Sequence, residues 1–177
     1  MKTITLSDVE KAIRNVPDFP KPGILFKDIT TALKDPDVFH FMADYLYEQY
    51  KDKGITKVVG IESRGFIMGS ILAYRLNAGF ILVRKPGKLP ADTYTKSYAL
   101  EYGEDRLEIH KDALTAEDVV LLHDDLLATG GSAGAAMDLI NIFDVKKLMI
   151  SFIIELGFLE GRKKFPAAVE INSMIRV

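Results

Sequence analysis

Val119-Val120-Leu121-Leu122-His123-Asp124-Asp125-Leu126-Leu127-Ala128-Thr129-Gly130-Gly131-Ser132 is the stretch whose reading decides the fold. Val119 to Leu122 are apolar and half β-branched, the composition of a strand buried on both faces. Asp124 and Asp125 place two carboxylates at the end of that strand, which is expected to run from Val119 to His123. Ala128 to Ser132 are small and include two glycines, and an Ala-rich helical pattern follows from Ala133 to Phe143. A strand, a tight small-residue loop and a helix N-terminus make an anion site, because the loop N–H groups point inward and the helix dipole adds to them.

Outward from this stretch, apolar runs alternate with helical patterns. Lys57 to Ile61, Gly79 to Arg84 and Leu148 to Ile154 read as buried strands, and Ala168 to Ile171 as an edge strand. Asp35 to Lys53 carries Phe39, Met42, Leu46 and Tyr50 near one helical stripe and ends at Gly54; Phe66 to Leu76 is a second helix. Lys85 to Thr95 reads as a polar loop, and Tyr98 to Tyr102 with Arg106 to Ile109 as an antiparallel pair around Gly103. Leu6 to Asn15 reads as a short amphipathic helix capped by Ser7 or Asp8. Pro17 to Ile29 holds three prolines and a glycine, which excludes a regular helix there. Yet Phe19, Ile24, Leu25 and Phe26 must bury. The segment is either a Pro-stiffened cover folded over the body or a plain surface connection.

Buried strands alternating with helices predict an α/β fold, an open, mostly parallel twisted sheet flanked by helices. Ligands in such sheets bind beyond the C-terminal strand ends. The loops 62–65, 84–95 and 124–132 converge there.

At 177 residues the chain is long enough for one well-filled core and short for two ordinary domains. Hydrophobic residues make up 48% and charged ones 27%, as in a globular protein. The net charge of −2 provides no general basic face, so no nucleic-acid partner is expected. The absence of cysteine excludes disulfides, thiol catalysis and Cys-ligated zinc, and suits a reducing compartment. The first residues lack the apolar core of a signal peptide, and no apolar run is long enough to cross a bilayer. A cytoplasmic protein with no membrane partner is expected.

The glycine loop lacks the Gly-x-x-x-x-Gly-Lys-Ser/Thr spacing of a P-loop and the Gly-x-Gly-x-x-Gly of a dinucleotide fold. What remains, Ala128, Thr129, Gly130, Gly131 and Ser132, can give a monophosphate several N–H donors and two hydroxyls. The acids beside it would repel that phosphate. Ionised carboxylates accept hydrogen bonds, so Asp124 and Asp125 call for hydroxyl donors on the same ligand, as on a ribose 5′-phosphate. A metal site or a solvated strand end is the other reading of the pair. Arg84-Lys85-Pro86-Gly87-Lys88 is the densest basic stretch, and Arg64 lies on a neighbouring loop. Together they suit a more highly charged anion such as pyrophosphate. For Arg64, a structural salt bridge to an acid such as Glu62 is the alternative.

These residues resemble the adenine phosphoribosyltransferase family over nearly the whole chain. Val120 to Ser132 looks like the phosphoribosyl-pyrophosphate motif of type I phosphoribosyltransferases. Phe19-Pro20-Lys21-Pro22-Gly23-Ile24-Leu25-Phe26-Lys27-Asp28-Ile29 is similar to the family's N-terminal hood. Glu62 to Phe66, Arg84 to Pro90 and Ser97 to Gly103 resemble its pyrophosphate, basic and flexible catalytic loops. The resemblance implies the type I phosphoribosyltransferase fold in one domain, with a small hood over about residues 1–34 and a catalytic loop over about 89–105. It implies that adenine and phosphoribosyl pyrophosphate give AMP and pyrophosphate with Mg²⁺, in a homodimer.

The implied roles follow. Glu101 is the acid/base residue, with Tyr102 beside it on the loop. Ser63, Arg64, Arg84 and Lys88 bind pyrophosphate, and Arg64 also stabilises its departure. Asp124 and Asp125 hold the ribose, 128–132 hold the 5′-phosphate, and Leu25, Phe26, Lys27 and Leu126 meet the base. Mg²⁺ is held mostly by ligand oxygens and water, with no protein ligand assigned. Three positions depart from the family's usual residues: Lys27 where Arg is common, His123 where an apolar residue is usual, and Ser132 in place of Thr. Transfer to another purine base is one alternative. A non-catalytic regulator that senses phosphoribosyl pyrophosphate is another, and a receiver-like acidic pocket is a third, which leaves the glycine loop unexplained.

Overall fold

Runs of valine, isoleucine and leucine form the centre of this fold because each is flanked by parallel neighbours and buried on both sides. The computed structural model describes residues 3–100 and 103–177. They fall into two compact units, one up to Gln49 and one from Tyr50 onward.

In the first unit, helix α1 (Leu6–Ala12) is capped by Thr5, whose hydroxyl accepts the Asp8 N–H while the Asp8 carboxylate accepts the Thr5 N–H at 3.0 Å. The cap therefore lies before the two residues expected to supply it, and Asp8 is the reciprocal half of a capping box. The helix stops at Ala12 because Arg14–Pro17 turns extended as β1 and pairs antiparallel with β2 (Leu25–Asp28). That pairing and the short helix α2 (Thr30–Lys34) are absent from the sequence reading. The 17–29 segment is thus an ordered hairpin, with Phe19 edge-to-face on Phe26 at 5.1 Å. Helix α3 (Pro36–Tyr50) follows, with Met42 and Leu46 buried.

The second unit holds five strands: β3 (Lys57–Ile61), β4 (Gly79–Val83), β7 (Val119–Leu127), β8 (Lys147–Glu155) and β9 (Glu170–Arg176). Their order is β4-β3-β7-β8-β9 and every pairing is parallel. Helix α4 (Gly65–Arg75) joins β3 to β4, and α5 (Gly131–Asn141) joins β7 to β8. The face toward α5 stacks Val59, Ile61, Val120, Leu122, Ile150 and Phe152 against Ala136, Leu139 and Ile140. Each large side chain buried there contributes about 1.5–3 kcal/mol. Strands β5 (Thr93–Leu100) and β6 (Gly103–His110) form a separate antiparallel sheet, whose Leu107 and Ile109 join the same core. β5 starts inside the segment expected to be loop, because its partner strand β6 satisfies its backbone.

β7 is longer than expected. It continues to Leu127 because β8 runs alongside it up to Glu155, so Asp124 and Asp125 lie within the ladder rather than after it. β9 likewise runs to Arg176, beyond the Ile171 expected for the edge strand. Among the described residues, no helix is long and apolar enough to cross a membrane.

Candidate active site

The C-terminal ends of β3 and β7 open into two adjoining hollows. The first is lined by Glu62, Ser63, Arg64, Lys85, Tyr98, Asp124, Asp125 and Ser132, among others. The second is lined by Arg64, Asp124, Asp125, Leu126 and the run Leu127 to Ala133. Loops 62–65 and 124–132 therefore meet as expected.

Local sequence explains each wall. Gly65 opens α4 directly against β7: a side chain there would approach the His123 carbonyl oxygen to 2.8 Å and an Asp124 carboxylate oxygen to 3.0 Å. This contact holds Arg64 over the acids. The peptide bond between Glu62 and Ser63 is cis. Beyond β7, Gly130 takes φ +80°, a left-handed conformation that costs a residue with a side chain about 1–2 kcal/mol. It caps α5, which starts at Gly131, so Ser132 belongs to the first helical turn rather than to the loop.

The electrostatics concentrate on the acid pair. Arg64 Nε lies 3.1 Å from Asp125 Oδ2, and Asp125 is 2% exposed. Burial raises the Asp125 carboxyl against the opposing pull of Arg64. Burial, and then the neighbouring Asp125 charge, push the Asp124 carboxyl well above the usual carboxylate range. The Asp125 N–H donates to Asp124 Oδ1 at 2.9 Å. Two acids held this way favour a ligand that brings hydroxyl donors or positive charge.

Arg64 does pair with an acid, Asp125, while Glu62 is gripped by Arg84 at both oxygens at 3.2 Å, and Arg84 also donates to the Lys88 carbonyl at 3.2 Å. Burial opposes ionisation of Glu62, yet the Arg84 guanidinium and the Lys85 N–H leave its carboxyl below the usual range. Neither Arg84 nor Lys88 lines either of these two hollows; Lys85, from the same basic run, lines the first. The Lys85 ammonium pairs with Asp105 and donates to the Tyr98 hydroxyl at 3.3 Å, and Tyr98 donates to Asp105 at 3.0 Å. Lys85 and Tyr98 were not singled out from sequence. The available signals were Lys85's place within the basic stretch and Tyr98's within the Ser97 to Gly103 motif. Glu101 and Tyr102 lie outside the described residues. Leu25, Phe26 and Lys27 lie on β2 of the first unit, with Leu25 50% exposed.

His123 is fully buried, and neither ring nitrogen has a partner among the described residues. Burial depresses its pKa to about 4. It is therefore neutral at physiological pH and takes no proton from a ligand. The unfolded imidazole gains a proton below about 6.5 that the folded one refuses, so folding stability falls as pH drops, by roughly 3 kcal/mol at pH 4. His123→Leu should remove that loss: urea unfolding at pH 4.5 and 7.5 should show the variant gaining on wild type at the lower pH. Parallel pH profiles would contradict this.

The profile of the phosphoribosyl transferase domain matches residues 30–168. The adenine phosphoribosyltransferase of Bacteroides fragilis is 63% identical over 167 residues, spanning 93% of this chain and 94% of its own. The crystal structure of adenine phosphoribosyltransferase from Thermoanaerobacter pseudethanolicus superposes with a TM-score of 0.93 at 46% identity, covering 98% of this chain and all of the other. That of Giardia lamblia, complexed with 9-deazaadenine, gives a TM-score of 0.94 at 41% identity over 99% of both chains.

Proposed function

This chain belongs to the phosphoribosyltransferase family and, within it, to the adenine phosphoribosyltransferases, and from that membership we propose how its site makes AMP. It is a pentosyltransferase that moves the 5-phosphoribosyl group of phosphoribosyl pyrophosphate onto adenine, releasing pyrophosphate, in purine salvage. The observation that carries the site assignment is the convergence of Arg64, the two acids and the glycine loop on two adjoining hollows.

In this reading Ala128 to Ser132 hold the 5′-phosphate through N–H groups and the Thr129 and Ser132 hydroxyls. Asp124 and Asp125 accept from the ribose hydroxyls. Their charge favours the positive charge that builds on the sugar as its bond to pyrophosphate breaks. Pyrophosphate leaves with the bonding electrons and is met by Ser63 and Arg64, with Arg84 and Lys88 on the neighbouring loop. The base nitrogen bonds to the sugar carbon and loses its proton to Glu101, beside Tyr102. The hood, about residues 1–34, supplies Leu25, Phe26 and Lys27 to the base, with Leu126 against the ring. Exposed apolar side chains on an ordered hairpin support that role: Leu25 is half exposed, as is Phe19. In this reading Glu101 belongs to a catalytic loop over about residues 89–105 of a single phosphoribosyltransferase domain.

Among the described residues no group of three or more His, Cys, Asp or Glu could hold a metal. Mg²⁺ would be held mainly by oxygens of phosphoribosyl pyrophosphate and by water near Asp124 and Asp125, and would neutralise charge on the leaving pyrophosphate. Exposed apolar side chains on α4 and on the edge strand β4 support a homodimer: Tyr74 is 87% exposed, Ile67 38% and Leu82 37%. A cytoplasmic location suits the lack of cysteine.

The test is a panel of adenine, guanine, hypoxanthine and xanthine with phosphoribosyl pyrophosphate, with and without Mg²⁺. AMP should form from adenine alone among the bases and should need the metal. Turnover of guanine or hypoxanthine with none of adenine would overturn the base assignment. A monomer in sedimentation would remove the dimer.

A further inference from the structure

The loop that lines the second hollow is backed by a segment to which the mechanism above gives no ligand contact. After β8 the chain makes two 3-10 turns, Gly157–Leu159 and Gly161–Lys164. The start of this segment follows the end of β7: the Leu156 N–H donates to the Leu127 carbonyl at 2.9 Å. Gly161 then presses on the glycine loop, backbone to backbone. A Cβ on Gly130 would lie 2.7 Å from the Gly161 carbonyl oxygen. A Cβ on Gly161 would collide with the Ala128 carbonyl oxygen and lie 3.1 Å from the Gly130 nitrogen. No side chain fits at either position without moving one of the two segments.

Gly161 is itself held in place. The next residue, Arg162, sets its Nε 2.8 Å from both oxygens of Glu155, donates from Nη1 to the Ile171 carbonyl at 2.9 Å, and reaches Ser173 Oγ at 3.3 Å. The Ser173 hydroxyl donates to Glu155 at 2.8 Å, and Arg176 Nε stands 3.4 Å from the same carboxylate. Glu155, at the last position of β8, has a side chain only 3% exposed. A buried carboxylate costs several kcal/mol unless well paired. Here its pairing ties the turn to β8 and β9, the two strands beyond β7, so the turn cannot follow the loop if the loop moves.

We propose that Gly161, clamped by the Glu155–Arg162 pair, is the positioning residue that sets the shape of the 128–131 loop and so its affinity for a sugar 5′-phosphate. The inference rests on reading that loop as the 5′-phosphate cradle. Apart from the Thr129 hydroxyl, the 128–131 loop offers backbone N–H groups as donors, and these are directed only by the path of the chain. Gly161 blocks that path from relaxing backward, so the donors stay pointed into the hollow before ligand arrives. A displacement of about 1 Å in such a group is enough to cost roughly 10²-fold.

Two variants test this, Gly161→Ala and Arg162→Lys, with binding of ribose 5-phosphate and of pyrophosphate measured separately by calorimetry. Lysine keeps the charge and loses the planar fork. Ribose 5-phosphate affinity should fall about tenfold or more in Gly161→Ala and several-fold in Arg162→Lys. Pyrophosphate affinity should stay within about twofold, and KM for phosphoribosyl pyrophosphate should rise more than kcat falls. Parallel loss of both ligands would mean a general structural role and overturn the proposal, as would unchanged ribose 5-phosphate binding. If Gly161→Ala does not fold, Arg162→Lys decides by the same criteria. Wild-type protein that fails to bind ribose 5-phosphate at all would instead overturn the loop assignment beneath it.

Discussion

Asparagine at both Asp124 and Asp125 is expected to cut kcat/KM for phosphoribosyl pyrophosphate by roughly 10²–10⁴-fold while raising the melting temperature by a few degrees. The loss follows from the hydrogen bonds. Each carboxylate that accepts from a ribose hydroxyl contributes about 1.5–3 kcal/mol, and every 1.4 kcal/mol is about tenfold. The gain follows from the empty site. Both carboxyls are raised, first by burial, so the folded protein holds protons that the unfolded chain has already released. Stability is therefore lost as pH rises from about 4, the unfolded value, toward the raised folded values. The variant has no such loss. Thermal melts should show the two proteins close at pH 4 and separating toward neutral pH, with the variant the more stable. A variant that melts lower than wild type at neutral pH, or that keeps its substrate affinity, would refute this account of the pair.

Arg64→Gln is expected to do the reverse to stability and the same to activity. Its guanidinium opposes the burial that raises Asp125, from 3.1 Å away. Without it Asp125, nearly fully buried, has to take a proton or stand unpaired. Because Arg64 is 34% exposed, the cost should be roughly 1–3 kcal/mol, less than for a fully buried pair. The cost should be smallest near pH 4, where Asp125 is protonated in any case, and should grow as pH rises. Turnover should fall about 10²–10³-fold through the loss of charge facing the leaving pyrophosphate. The double variant Arg64→Gln with Asp125→Asn separates the two effects: it should regain the stability and none of the turnover. Recovery of turnover in that double variant would show that Arg64 acts only by neutralising Asp125.

Much of this site was legible because its parts are local. Val119 to Ser132 carries strand, acids, loop and helix start within fourteen consecutive residues, and the structure keeps them in that order. The boundaries were less legible. β7 continues past the acids only because β8 offers a ladder to Leu127, and a strand's length depends on its neighbour as well as its own residues. The pairing of Arg14–Pro17 with Leu25–Asp28 was hidden for the same reason, since prolines near a strand signal a turn more strongly than an edge.

Partner choice among charges was the least legible. Sequence placed Arg64 two residues from Glu62 and so suggested that pair. The fold instead turns Arg64 onto Asp125 and leaves Glu62 to Arg84, twenty-two residues on. Lys85 rather than Lys88 reaches the first hollow because Asp105 and Tyr98, on the β5–β6 pair, hold it there.

The chain by itself thus determined the chemistry on offer. A buried parallel strand, two acids, a glycine loop and a basic stretch follow from residue type and spacing, and these are properties of a few neighbouring residues. Only the tertiary structure decided which charges meet, where the strands end, and what stands behind the loop. Gly161 lies thirty-one residues from Gly130 by the sequence numbering, and nothing in either neighbourhood points to the other. Their contact exists because β7 and β8 run parallel and end together, which is a property of the sheet and of no single segment in it.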